Sequence, residues 1–265
     1  MDKKHEVHEH ELEETKLGDH YHDIHHFYGE KEDDVKPSDF SPKNFFKKKQ
    51  TNNTIFYISA TGIFLALAIV ASLIDIGLEM LDLLIPPING IPVMMRFLDV
   101  LVVMLAVTAI GPIFASVVAL ITPFLHAVIH GEIWNPYEPL FDAVSYILIV
   151  WILWLFFYVV FRNSLFHRHP NDKVDKFRRW TPMVPFILIS SAVFTIFYIL
   201  TIYITTVQGH SGGDHEESIS FDSFKKMIWI NAIIVFCANI IRCTFDMTIF
   251  CLIEPKLKII NHRYY

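Results

Sequence analysis

The residues best suited to chemistry lie inside apolar sequence. Asn239-Ile240-Ile241-Arg242 is followed four residues later by Asp246, all within one long hydrophobic run. A charge at membrane depth is costly and faces the protein interior or a watery cavity. Arg242 and Asp246 share a helix face at i, i+4, so two readings stand side by side. One is an internal ion pair. The other is a binding site in which Asn239 and Arg242, about one turn apart, offer an amide and a guanidinium to a ligand rich in acceptors. Arg96 and Asp99, three residues apart at the mouth of another apolar run, are either a paired interfacial anchor or further ligand contacts. Trp134 and Asn135 add an aromatic and an amide in the loop Gly131–Pro136. His126 and His130, again at i, i+4, have Glu132 just beyond, a spacing that can ligate a metal. The stretch His126-Ala127-Val128-Ile129-His130 lacks the glutamate that zinc proteases place after the first histidine, and no metal site is assigned.

The elements that must position these residues are membrane helices. The chain has 265 residues, is 53% hydrophobic and has a mean hydropathy of +0.39, too apolar beyond Thr54 for one soluble core. A helix needs about 20 apolar residues to cross roughly 30 Å of hydrocarbon. Six segments are expected, at about Ile55–Ile74, Phe97–Ile110, Ile113–Ile129, Phe141–Phe161, Pro182–Val207 and Met227–Ile253. The second is short, and Gly111-Pro112 breaks it from the third, with Pro112 suited to a first helical position. Glu254-Pro255 is expected to end the sixth. Cys237, Cys243 and Cys251 all fall in that last segment and read as small apolar filler, not as disulfides.

The fold class expected is an all-α membrane protein: a bundle of six transmembrane helices over residues 51–265, behind a polar tail over residues 1–50. The tail carries His5, His8, His10, His20, His22, His25 and His26 among many acids. It reads as a disordered, solvated cytoplasmic segment, with loose zinc or nickel binding as the alternative. No early apolar stretch resembles a signal peptide, so the first helix is expected to act as its own insertion signal. Lysines and arginines set the orientation. Lys43, Lys47, Lys48 and Lys49, the cluster Arg162, Arg168, Lys173, Lys176, Arg178 and Arg179, and Lys256, Lys258 and Arg263 fall on one side. Only Arg96, Lys225 and Lys226 fall on the other, which places both termini in the cytoplasm and the chain in the cell membrane.

In the first segment Gly62 and Ala66 lie four apart on one face. Small residues there allow close helix approach, either within the bundle or onto a partner subunit. The chain has no Walker loop, no Gly-x-Ser-x-Gly and no Cys-x-x-Cys, so no catalytic residue is assigned and no enzyme is expected. Uphill transport would draw its energy from a partner or an ion gradient. A metal-dependent intramembrane enzyme built on His126, His130 and Glu132, a metal-ion transporter fed by the histidine tail, and a purely structural membrane protein are the competing classes.

Three places give the stretch from Ile55 to Ile260 a family likeness. They are Gly62-Ile63-Phe64-Leu65-Ala66, then Phe97-Leu98-Asp99-Val100 leading into Gly111-Pro112-Ile113-Phe114-Ala115, and Asn239-Ile240-Ile241-Arg242. In this order and spacing the chain resembles the substrate-binding S components of energy-coupling factor (ECF) vitamin transporters, and within them the riboflavin-binding members. Arg242 stands where Lys is usual, Thr201 near where a ligand-contacting Asn is expected, and Thr122-Pro123 where polar or charged residues are common. Arg96 is similar to a feature of folate-binding members. The resemblance implies a vitamin pocket near the outer face, with Asn239 and Arg242 on the ligand. It also implies a membrane coupling subunit (T component) docked on the first three helices at Gly62 and Ala66. Two cytoplasmic ATPase subunits would use ATP to drive that subunit, and this chain would hold no cofactor of its own.

Overall fold

A computed structural model describes residues 54–79, 96–131, 137–163, 172–208 and 221–263. Six helices occur among them and no strand: α1 (Thr54–Glu79), α2 (Leu98–His130), α3 (Glu138–Trp154, continued by a π-helical turn over Leu155–Val160), α4 (Asp172–Trp180), α5 (Met183–Gln208) and α6 (Phe221–Arg263). Five runs are long and apolar enough to cross a membrane: Phe56–Leu78, Leu98–His130, Glu138–Val160, Lys173–Ile204 and Ile228–Leu257. This is the pattern of a multi-pass, all-helical membrane protein. The tail over residues 1–50 lies outside the described residues.

Helix α1 shows why these sequences are lipid-facing. Tyr57, Thr61, Phe64, Ala68, Ser72 and Asp75 recur at helical spacing and are buried. Ile58, Ile63, Leu67, Val70 and Leu73, on the opposite face, are equally apolar and exposed, as a bilayer rather than water requires.

The second and third expected segments form one continuous element with a sharp break. Gly111 has φ 77° and ψ 171°, a backbone region open essentially to glycine, and Pro112 follows it. Asp99 and His126 would stand about 40 Å apart on a straight helix. Instead Asp99 Oδ2 lies 3.0 Å from His126 Nδ1. The element therefore doubles back at Gly111, and α2 is a helical hairpin whose two arms run antiparallel. Tyr57, near the start of α1, stacks on Phe114 just past the turn at 5.1 Å. Thr108 and Tyr158 share a hydrogen bond of 2.7 Å at the same end, tying the π-helical turn of α3 to the hairpin. The opposite end of the bundle carries Gly131, whose φ of 72° closes the hairpin's second arm with a bond from its N–H to Ala127 O.

One expectation at the Gly111 end needs correction. Glu254-Pro255 does not end the last helix, which continues to Arg263. Proline removes one backbone bond, but Glu254 is buried and accepts from Asn163 Nδ2 at 3.1 Å, which holds the turn on course through Pro255. The basic stretch before α5 contains a short helix. Its charged residues wind into α4, where Asp175 and Arg179 pair at i, i+4 while Lys173, Lys176, Phe177 and Trp180 form an exposed stripe. The three cysteines are free; Cys243 and Cys251 are buried, whereas Cys237 is exposed.

The hairpin turn makes a direct prediction. Gly111→Ala forces a side chain into the glycine-only region and is expected to cost about 1–3 kcal/mol. Thermal unfolding of the purified variant in detergent should show a lowered Tm, and an unchanged Tm would mean the turn relaxes without strain.

Candidate functional site

Buried polar side chains gather toward the Gly131 end. Asp75, on α1, is fully buried, and its carboxylate accepts from the backbone N–H groups of Leu98 (3.2 and 3.0 Å) and Asp99 (3.1 Å). The first arm of α2 has no side-chain cap of its own, so a residue from α1 supplies it. The positive end of the helix favours that carboxylate. One turn earlier Ser72 Oγ donates to Asp99 Oδ1 at 2.7 Å, and Asp99 Oδ2 takes the Nδ1 hydrogen of His126. An ionised carboxylate can only accept, which leaves the histidine Nε2 with its lone pair. That nitrogen is buried without a hydrogen-bond partner among the described residues. His130 stacks on His126 with ring centroids 6.2 Å apart.

Arg96 does not pair with Asp99. Its guanidinium donates to Glu138 Oε1 at 2.8 Å and Asp142 Oδ2 at 2.5 Å, both on the first turns of α3. The reason is geometric: both Asp99 oxygens are engaged by Ser72 and His126, and α3 offers two carboxylates at i, i+4. Burial works against the charge of Arg96, but Asp142, Tyr146 and Glu138 outweigh it and hold the guanidinium protonated beyond its ordinary range.

A second layer lies between α5 and α6. Asn239 Nδ2 donates to Thr195 Oγ1 at 3.3 Å, and the Arg242 guanidinium lies over the Phe194 ring, 3.8 Å from its centroid. Arg242 and Asp246 form no hydrogen-bonded pair. Arg242 Nε and Nη2 and both carboxylate oxygens of Asp246 are buried without a partner among the described residues. The layers meet at Tyr146, which packs edge-on against Phe194 and lies within electrostatic reach of Asp99, Arg96, Asp142 and Arg242. Asp246 in turn lies within reach of Arg242 and Asp75.

The expected site residues therefore separate. Asn239 and Arg242 lie together, whereas Arg96 is paired with Glu138 and Asp142 and Asp99 with Ser72 and His126. Thr201 is half-buried and donates to Phe197 O of its own helix at 2.9 Å. Trp134, Asn135 and Glu132 lie outside the described residues. Gly62 and Ala66 are exposed on α1, and nothing lies within 4 Å of where a Gly62 Cβ would stand, so this face does not serve packing among the described helices. No group of three or more His, Cys, Asp or Glu side chains able to hold a metal occurs among the described residues. Sequence reasoning missed Ser72, Asp75, Glu138, Asp142 and Tyr146. The acids carried a usable signal, because each sits within or at the end of an apolar run.

No family model and no solved structure matches the chain. It is 29% identical over 161 residues to "Uncharacterized protein MG147" of Mycoplasma genitalium, a match covering 56% of this chain and 40% of that protein. It is 23% identical over 127 residues to "Uncharacterized protein MG147 homolog" of Mycoplasma pneumoniae, covering 48% and 31%. The chain thus spans well under half the length of these relatives.

The Arg96 cluster predicts an asymmetric response. Arg96→Ala strands two partly buried carboxylates and should cost about 2–4 kcal/mol, below the fully buried limit because Glu138 and Asp142 retain 26% and 28% exposure. The triple change Arg96→Met, Glu138→Gln and Asp142→Asn should recover much of that loss in the same detergent melt, and failure to recover it would assign the loss to packing.

Proposed function

We propose that the chain is the substrate-binding S component of an ECF-type transporter, taking up a vitamin, with riboflavin the first choice. The observation that carries the reading is the layer between α5 and α6. Asn239 and Arg242 are the residues the family likeness puts on the ligand. They stand together, and Arg242 keeps two donors unused beside an aromatic wall. A mostly apolar bundle with a few convergent polar groups is the ordinary form of a small-molecule site. Folate, the alternative resting on Arg96, is less well supported, because that guanidinium is filled by Glu138 and Asp142.

Six crossings fit the hairpin, whose arms would each count as one, and the tail over residues 1–50 is taken as a disordered cytoplasmic segment. The Gly111 end is taken as cytoplasmic. It carries α4 with Lys173 and Lys176 exposed beside Phe177 and Trp180, the mix found at a membrane interface on the positive side. With no nucleotide-binding motif in the chain, a coupling subunit and two ATPase subunits would supply the energy. The open face at Gly62 and Ala66 is the proposed contact for the coupling subunit, since small residues allow close helix approach.

The protein purified in detergent is expected to carry flavin absorption bands that are released on denaturation. A colourless protein whose extract yields folate or another vitamin by mass spectrometry would replace riboflavin, and an extract with no small ligand would remove the reading. Arg242→Ala is expected to weaken ligand binding by about tenfold or more while the protein still folds, because a charged hydrogen-bonding group is lost from the site. Gly62→Leu with Ala66→Leu should abolish co-purification of the coupling subunit and leave ligand binding intact; retained co-purification would move the contact elsewhere.

A further inference from the structure

The stretch between α3 and α5 is a basic region that the proposed site and subunit contact leave unused. Residues 162–180 hold six lysines and arginines against two aspartates. Within this stretch α4 is clamped from behind. Phe177 packs on Phe161 at the end of α3, with ring centroids 6.1 Å apart. Arg178 Nη1 donates to Arg162 O at 3.3 Å. Arg179 pairs with Asp175, and its Nε lies 3.9 Å from the buried Glu254 of α6. Its backbone carbonyl also accepts from Cys251 Sγ at 3.5 Å. These contacts engage the carboxylate of Asp175 on the inner face and fix the rotation of α4.

The outer face is different in kind. Lys173, Lys176, Phe177 and Trp180 stand at i, i+3, i+4 and i+7, which makes one exposed stripe with cations at one end and aromatic rings at the other. Only Thr181 and Pro182 separate α4 from α5. Bonds from Thr181 N–H to Phe177 O and from Phe186 N–H to Pro182 O carry the helical pattern across them. Trp180 is then followed, at steps of four, by Val184 and Leu188, both exposed and apolar. The stripe is thus continuous with the face that α5 turns to acyl chains. From Trp180 to Lys173 a helix rises about 10 Å, enough to cross the headgroup layer of one leaflet. Aromatic rings favour the hydrocarbon boundary, and lysine stems carry their ammonium groups outward from it to phosphate depth. A protein docked on this stripe would have to displace the acyl chains beneath it. An anionic lipid has its chains there already and brings the charge that complements the lysines.

We propose that the outer face of α4 is a site for an anionic phospholipid, with Lys173 and Lys176 on the headgroup phosphate and Phe177 and Trp180 seating the upper part of the chains. This rests only on the chain spanning a membrane and holds whether or not it binds a vitamin. The clamped helix needs little ordering when the lipid arrives. A zwitterionic headgroup offers the same phosphate but offsets it with its own cation, so the selection is for net negative charge.

The test uses the full chain in detergent, titrated with dioleoylphosphatidylglycerol or dioleoylphosphatidylcholine, with bound lipid counted by native mass spectrometry. A lysine near the membrane surface is worth about fivefold in attraction to anionic lipid, so wild type should bind the glycerol lipid about 5- to 25-fold more tightly than the choline lipid. Lys173→Gln with Lys176→Gln should bring the two lipids within about twofold, and Lys173→Arg with Lys176→Arg should keep the preference. Lys225→Gln with Lys226→Gln, at the far end of α6, removes the same charge and should leave the preference intact. Equal binding of both lipids by wild type overturns the proposal, and that comparison needs no variant. A preference that survives Lys173→Gln with Lys176→Gln, or that falls equally with the Lys225 and Lys226 changes, overturns it as well.

Discussion

In a bilayer the hydrophobic effect gives helices little reason to meet, because lipid tails are as apolar as leucine. Association must come from packing and from polar contacts that hydrocarbon cannot satisfy. For this protein the decisive contact is the carboxylate of Asp75 on the N-terminal amides of α2. Helix α1 packs mainly on α2, and its other face is open and apolar. Without Asp75 and the Ser72–Asp99–His126 chain beside it, little would fix the depth or rotation of α1. The same contact anchors the start of the first hairpin arm, and Asp99–His126 locks that start against the end of the second. One set of polar bonds therefore fixes three helical segments at once. The Gly111 end is fastened separately, by the Tyr57–Phe114 stack, the Thr108–Tyr158 bond and the Asn163–Glu254 bond.

Set beside this clasp, the α5–α6 layer has the opposite character. Asp75, Asp99, Glu138 and Asp142 each have a hydrogen-bond partner, whereas Asp246 has none among the described residues and meets only the charge of Arg242, which itself lies on the Phe194 ring. A buried network is most rigid when every member is satisfied and most open to an added partner when some are not. The polar groups between α1, α2 and α3 thus hold helices together, while fewer hydrogen bonds join α5 to α6. Tyr146, touched electrostatically by both sets, sits where the division falls.

Much of this was legible in the sequence, and the failures follow from particular residues. Apolar length located the five runs long enough to cross a membrane, and Gly111-Pro112 marked the break inside α2, because only glycine tolerates that backbone and proline suits the position after it. That Asn239 and Arg242 turn into the protein was legible because a charge in an apolar run faces the interior. The partners of Arg96 were not legible. Spacing of three residues suggested Asp99, yet the choice was made by α3, more than forty residues away, whose first turn faces Arg96 only after the hairpin has formed. The i, i+4 spacing of Arg242 and Asp246 likewise permits a pair but does not compel one, since the Phe194 ring competes for the guanidinium. Proline at 255 misled for a related reason: a local rule about one lost bond was overridden by a tertiary contact at Glu254.

The arrangement also constrains how an event at α1 could be felt at α5 and α6. Helix α1 makes its substantial contacts with α2, while α2 meets α6 and α3 meets α5. The substantial packing route from α1 to α6 therefore runs through the hairpin. Asp75 takes part in it as the cap of α2 and also bypasses it as a charge within reach of Asp246. A displacement of α1 that loosened the cap would change the field at Asp246 as well as the seat of the hairpin. Coupling of that kind needs no long chain of contacts, because a single buried carboxylate belongs to both the scaffold and the electrostatic surroundings of Asp246.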